Sequence, residues 1–295
     1  MDNRINKSYL YWYFQNCDWE QAAGSSDKIK GKTLNKKKLQ ELAVLLPPLD
    51  EQRRIVEVLD KAFEGLDRAR ANVEANLGDT ERLLSNSFRR IFDPDIHQFK
   101  MASIGSFAKV FDGPHATPKT IDEGPIFLNI SALQNGNLVL SNTRHVKKDD
   151  YTKWTKRVTP QPGDVVFSYE TRLGQAALIP SGLTCCLGRR MGLVRTDNSI
   201  MNPRFFVLYY VSSWFKSFID ANTVRGTTVD RISIREFPSF LFPVPPLDEQ
   251  DKLVEKAEFV ANALIDVEKI YQAKLADLNT VRQTLLAKAF VGELT

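Results

Sequence analysis

Pro47-Pro48-Leu49-Asp50-Glu51-Gln52 recurs, residue for residue, as Pro245-Pro246-Leu247-Asp248-Glu249-Gln250, 198 positions further along the chain. Six identical residues in a row mark an internal repeat, and at the same offset Leu34 matches Ile232 and Lys37 matches Arg235. With a four-residue shift Gly24-Ser25-Ser26 falls on Gly226-Thr227-Thr228, while Tyr9, Leu10 and Tyr13 approach Phe205, Phe206 and Tyr209. The chain therefore reads as one and a fraction copies of a single unit. Proline can precede a helix but not continue one, and acidic residues favour a first turn, so each copy of the motif reads as a helix start. From there the apolar positions run Ile55, Leu59, Ala62, Leu66, Ala69, Val73, Leu77, Leu84 and Ile91 in the first copy. The second copy gives Leu253, Ala257, Val260, Leu264, Val267, Tyr271, Leu275, Leu278, Leu285 and Ala289. Steps alternating between three and four residues give a seam of period 3.5, the signature of helices wound around each other. Each helix of roughly 40 residues spans about 60 Å, and pairing within the chain covers both seams most economically.

Between the seams, Phe99 to Val244 has a different character: rich in turns and aromatic residues, with short β-like runs at Asp164–Ser168 and Arg190–Arg195. The expected fold class is α+β, a globular domain plus two long α-helices forming an antiparallel coiled coil. Its expected segments are an N-terminal piece (1–46), a central helix (47–92), the inserted domain (93–244) and a C-terminal helix (245–295). At 295 residues with 43% hydrophobic composition the chain can bury a sizeable core. No apolar run is long enough to span a membrane and the N-terminus is too polar for a secretory signal, which points to the cytoplasm. Cys17, Cys185 and Cys186 suit no disulfide framework, and His97, His115 and His145 lack neighbours at metal-ligand spacing, so neither a structural metal nor a cofactor is expected. The net charge of +4 is unevenly spread. Lys and Arg number 8 against 5 Asp and Glu over 1–49, 8 against 9 over 50–92, 18 against 13 over 93–244, and 6 against 9 over 245–295. Positive blocks separated by acidic ones suit a protein that touches a polyanion with some parts and other protein with the rest.

Known enzymatic patterns fail on particular residues. Gly31-Lys32-Thr33 ends like a phosphate-binding loop, but the loop's first glycine would fall at Ser26. The Pro-Pro pairs follow Leu46 and Val244 and not the Asn or Asp that adenine methylation uses, and no Asp/Glu-x-Lys follows Pro94-Asp95 to make a nuclease centre. No catalytic residue is expected.

In its order of domain, Pro-Pro-Leu-x-Glu-Gln, long helix, the chain resembles the specificity (S, or HsdS) subunit of type I restriction-modification enzymes. Asp112–Pro118, Pro162–Ser168, Gly174–Pro180, Cys186–Arg195 and Gly226–Val229 look like motifs of that family's target recognition domain. The resemblance implies a non-catalytic subunit that reads one half of a split site in double-stranded DNA. It also implies helices that act as a spacer, methyltransferase (M) subunits docked on them, and a restriction or motor (R) subunit engaged indirectly. A full first copy would place a recognition domain before Pro47, whereas 46 residues stand there, so 1–46 reads as the tail of a first domain. Exposed Tyr9, Leu10, Trp12, Tyr13 and Trp19 would then form an apolar patch favouring a homodimer. Two other readings stay open: the specificity subunit of a related fused restriction-methylation system, and a coiled-coil scaffold that binds no DNA.

DNA contact needs donors on loops: Arg and Lys for phosphates and guanine, hydroxyls and amides for phosphates and other base edges. The candidates are His115, Thr117 and Lys119 in a loop bounded by Pro and Gly, Tyr169, Arg172 and Gln175 after a strand, the pair Arg189 and Arg190, and Arg225, Thr227, Thr228 and Arg231. The glycine and proline motifs are expected to hold the fold while less regular loops read bases; Arg195, inside a β-run, is expected to be structural. On the helices, Arg53, Arg54, Arg68, Arg70, Arg89 and Arg90 lie among acidic residues, which fits either a solvated face or a docking face.

Overall fold

A computed structural model describes residues 4–19, 36–40, 42–226 and 229–293. The helices among them, in chain order, are α1 (Lys7–Asn16), α2 (Lys36–Gln40), α3 (Leu49–Ile91), α4 (Pro94–His97), α5 (Ile104–Phe107), α6 (Lys148–Trp154), α7 (Pro203–Tyr210), α8 (Ser213–Ala221) and α9 (Leu247–Phe290). α3 and α9 are the two long helices, of 43 and 44 residues, and each begins one residue after its Pro-Pro pair. Asp50 and Glu51 in one first turn, and Asp248 and Glu249 in the other, face the positive end of the helix dipole. The chain divides into two compact units: Met1–Glu81 with Ile265–Thr295, and Arg82–Leu264.

In the first unit, the early turns of α3 run antiparallel to the late turns of α9. Arg282 Nη1 donates to Asp67 Oδ1 at 2.8 Å, and Arg70 Nη1 donates to Asn279 Oδ1 at 3.2 Å, so position falls on one helix as it rises on the other. Their shared core is Ile55, Leu59, Phe63, Leu286 and Ala289 together with Tyr9 and Trp12 of α1. Trp12 stacks on Phe63 at 4.6 Å, and the edges of Tyr9 and Tyr13 meet Phe290 at 5.4 and 5.1 Å. The expected exposed patch is therefore corrected: Tyr9 is 1% exposed and Trp12 8%, because the chain's own helices cover them. Trp12 Nε1 also donates to Asp60 Oδ1, and the Tyr9 hydroxyl to the Leu45 carbonyl. Tyr11 and Trp19 remain exposed.

Among the described residues the second unit holds four sheets. Strands β2 (Ala108–Asp112), β10 (Met191–Thr196), β7 (Val165–Ser168) and β8 (Ala176–Leu178) form an antiparallel sheet in the order β2-β10-β7-β8. A mixed sheet orders β6 (Arg144–Val146), β3 (Thr120–Leu128) and β9 (Cys185–Leu187), with β3 and β9 parallel. Two small pairs complete it: β1 (Met101–Ser103) with β11 (Leu241–Pro243), and β4 (Leu133–Gln134) with β5 (Asn137–Leu138). Every residue of β7 is buried, which is why Val165-Val166-Phe167-Ser168 reads as a continuous rather than an alternating run. The main core gathers Phe167, Phe205, Phe206, Tyr210, Phe215, Phe237 and Phe242. The last turns of α3 and the first of α9 join it through Ile91, Phe92, Leu253 and Ala257.

The repeated motif has the same employment in each unit. Gln250 is fully buried; its Oε1 accepts the Asn202 amide at 2.7 Å, and its Nε2 donates to the carbonyls of Ile200 (2.8 Å) and Pro245 (2.7 Å). Gln52, 1% exposed, accepts the Asn6 amide at 2.8 Å and donates to Arg4 (2.9 Å) and Pro47 (2.8 Å). Asn6 and Asn202 in turn cap α1 and α7 with their side chains. One amide thus ties together a helix start, the proline turn before it and the cap of an aromatic helix, satisfying groups that burial would otherwise leave unpaired.

Candidate nucleic-acid interface

Strand register brings distant loops to one edge of the four-stranded sheet. Gly192 of β10 pairs with Asp112, the last residue of β2, and Met191 pairs with Ser168, the last residue of β7. The loops 113–119, 169–175 and 188–190 therefore leave the sheet at the same end. Isolated bridges from Arg231 to Glu170 and to Val224 bring Val224 and Arg231 to that end as well. Arg195 lies toward the opposite end, beside Lys109. Its guanidinium grips both oxygens of buried Asp164 at 2.8 and 2.7 Å and donates to the Thr159 carbonyl at 3.0 Å.

The loops are held by glycines at which a side chain would collide. A Cβ on Gly113 would run into the Met191 carbonyl, and one on Gly188 into that of Leu128. In the turn before β7, Gly163 adopts φ 86° while Asp164 Oδ2 accepts the Gln161 amide at 2.7 Å. Two residues with side chains share the left-handed region at the loop end, Thr171 (φ 69°) and Arg190 (φ 71°). A β-branched residue there is strained by about 1–3 kcal/mol. Glu170 supports the pair: its Oε2 lies 2.9 Å from Arg190 Nε, and Arg190 Nη1 reaches Thr171 Oγ1 at 3.4 Å.

His115, Thr117 and Lys119 are exposed, and His115 Nε2 lies 2.9 Å from Asp112 Oδ2. Arg189 and Arg231 are exposed, with no ion pair among the described residues. Arg225 is exposed between Asp230 and Asp220; hydrogen bonds to the two carboxylates, Asp230 first, raise its pKa, and the same contact lowers that of Asp230. Three candidates face inward. Tyr169 is 5% exposed, and burial, then the charge of Asp112, push its phenol up. Arg172 donates to the Ile130 carbonyl at 3.1 Å, and Gln175 accepts the Asn135 amide at 2.8 Å. Thr227 and Thr228 lie outside the described residues.

A cleft of about 370 Å³ at this end is lined by His115, Tyr169 and Arg231 together with Asp112, Glu170 and Arg235. The last three are not among the contact candidates, although Asp112 opens one of the family-like motifs; their placement follows from strand register and the bridges. Among the described residues no group of three or more His, Cys, Asp or Glu is placed to hold a metal, and no helix is long and apolar enough to cross a membrane.

Donor-bearing loops at one end of the four-stranded sheet belong to a mixed α+β domain inserted in sequence between two long helices. The chain belongs to the type I restriction modification DNA specificity domain family, whose model matches residues 2–75 and 98–275. The type I restriction enzyme EcoBI specificity subunit of Escherichia coli is 20% identical over all of this chain and 67% of its own length. The EcoKI specificity subunit of Escherichia coli strain K12 is 26% identical over 85% of this chain and 57% of its own. The putative MjaX specificity subunit of Methanocaldococcus jannaschii is 24% identical over 84% and 60%. The chain thus spans between 57% and 67% of these curated relatives. Of solved structures, a chain of a type I R-M system superposes with TM-score 0.73 at 21% identity, covering 97% of this chain and 71% of that one. The HsdS subunit from Thermoanaerobacter tengcongensis gives TM-score 0.58 at 20% identity, over 98% and 71%. These superpositions show a shared fold.

Proposed function

We propose that this specificity subunit reads one half of a bipartite site in double-stranded DNA with the loop end of its four-stranded sheet. Its long helices dock methyltransferase subunits, through which it meets a restriction subunit, and the chain itself catalyses nothing. The observation that carries this reading is the β2-β10-β7 register, which gathers loops separated by up to about 120 residues of sequence into one cation-bearing rim. His115, Thr117, Lys119, Arg189 and Arg231 are the side chains best exposed to reach DNA from it. Arg225 is half committed to its two carboxylates. Tyr169, Arg172 and Gln175 support the rim from below, positioning the 170–172 turn and the Asn135 loop. Arg and Lys at base edges and phosphates supply both discrimination and salt-sensitive affinity.

Titration of the purified chain with duplex DNA tests this. The expected result is weak binding, on the order of 10⁻⁴–10⁻⁶ M at physiological salt, that falls steeply as salt rises. No methyl transfer from S-adenosylmethionine accompanies it. Turnover by the pure chain, or nanomolar sequence-selective binding by a verified monomer, would overturn the assignment.

A further inference from the structure

Beside the loop end lies a second cleft, of about 450 Å³, most of whose wall lies outside the recognition motifs and the candidate residues. Its walls are Pro114, His115, Lys153, Trp154, Lys156 and Arg157. Four of these come from the end of α6 and the residues just after it, on a segment with a marked charge imbalance. Residues 143–157 hold six Lys and Arg against two Asp, a net of four positive charges, the same as the net charge of the whole chain. Lys153 lies 3.5 Å from Asp150, while Lys156 is exposed with no carboxylate partner among the described residues. Arg157 is pinned toward the loop end: Nη1 donates to the Gly113 carbonyl at 3.1 Å and lies 3.5 Å from Asp112 Oδ2, the oxygen that also holds His115. The two clefts are therefore joined through His115 and Asp112.

Trp154, which lines the cleft, carries an unspent donor. Trp154 packs its ring on the satellite core of Phe127, Val146 and Cys186, and its indole Nε1 is buried with no hydrogen-bond partner among the described residues. A buried N–H left unpaired is destabilising. An indole N–H can only donate, and with cations on the same wall its complement is an anionic oxygen.

We propose that this cleft seats a backbone phosphate of duplex DNA, held by Lys153, Lys156 and Arg157 with the Trp154 N–H beneath it, and so fixes the register in which the neighbouring rim meets the bases. The proposal rests on the DNA-reading function above and assigns a particular part of it. Such a contact positions the duplex and carries no sequence information.

Its test uses the full chain and fluorescent duplexes of several sequences, titrated between 50 and 200 mM salt. Each phosphate contact contributes about 0.9 to the slope of log affinity against log salt, so the Lys153→Ala, Lys156→Ala double variant should lose about 1.8 from that slope, equally on every sequence. Trp154→Phe keeps the apolar body and removes the N–H; its affinity should fall roughly tenfold, the scale of a charge-assisted hydrogen bond, again on all duplexes. Circular dichroism of each variant shows that the fold is retained. An unchanged slope with wild-type affinity would overturn the phosphate seat while leaving the DNA-reading function intact. So would a loss confined to one sequence, or variants that bind DNA normally but no longer bind a methyltransferase subunit. A wild-type chain with no salt-dependent DNA binding would sink both.

Discussion

Gln250 donates to two carbonyls and accepts one amide inside the core, so truncating it strands three backbone groups at once. At about 1–3 kcal/mol for each buried group left unpaired, partly relieved by relaxation, Gln250→Ala should destabilise the fold by roughly 3 kcal/mol, read as a shift in urea midpoint. An unchanged midpoint would contradict the tie assigned to it. The Asp164 carboxylate is 3% exposed and gripped bidentately, so Arg195→Met, which leaves it unpaired, should cost about 3 kcal/mol or more. Burial pushes the Cys185 and Cys186 thiols up to about 12. Thiolate is the reactive form, so alkylation of this pair in the native protein at pH 8 should be negligible and should rise with pH toward 12; unfolding should release it at once. Rapid native modification of both at pH 8 would contradict their burial. At this scale the sequence marks which residues repeat and not what they do. The glutamine is visible in both copies, yet its partners Arg4 and Ile200 lie 48 and 50 residues away from it. The inward turn of Tyr169, Arg172 and Gln175 was equally hidden, because a polar residue after a strand looks alike whether it faces solvent or braces a neighbouring loop.

Elements were far more legible, because a period of 3.5 residues survives in sequence without knowledge of the partner. Along α9 every position named from the seam, Leu253 through Ala289, is buried or half-buried. The first helix departs at Phe63, which the seam passed over in favour of Ala62. Phe63 is 2% exposed because α1 supplies Trp12 to one face and Arg282 lies 4.4 Å above its ring. A third helix widens the buried stripe beyond the two-helix seam, which periodicity alone does not reveal. Phe63→Ala should accordingly cost about 3–5 kcal/mol, as core aromatic truncations do. Ala62→Ser, on the half-buried flank, leaves no cavity and should cost under about 1 kcal/mol. Equal effects of the two, in thermal or urea unfolding, would place the stripe wrongly. The strands of the inserted domain were legible only where burial is continuous, as in β7; the crossing order β2-β10-β7-β8 and the parallel β3-β9 pair leave no local trace.

For the whole molecule, charge is unevenly distributed: the inserted domain has 18 Lys and Arg against 13 Asp and Glu, and the C-terminal helix segment 6 against 9. Under the proposed function the first meets a polyanion and the second a protein partner. The family was legible because motif order and the duplicated helix start are properties of the entire chain. The loop end that bears the candidate contacts was only partly so, since the segments that supply Asp112, Glu170 and Arg235, and the cations at the end of α6, lie far apart in sequence and meet only through folding. The most direct test is methylome sequencing of cells with the gene intact and deleted. Loss of methylation at one gapped motif on deletion, restored by the wild-type gene, is the predicted result; a methylome that is the same with and without the gene would contradict the account.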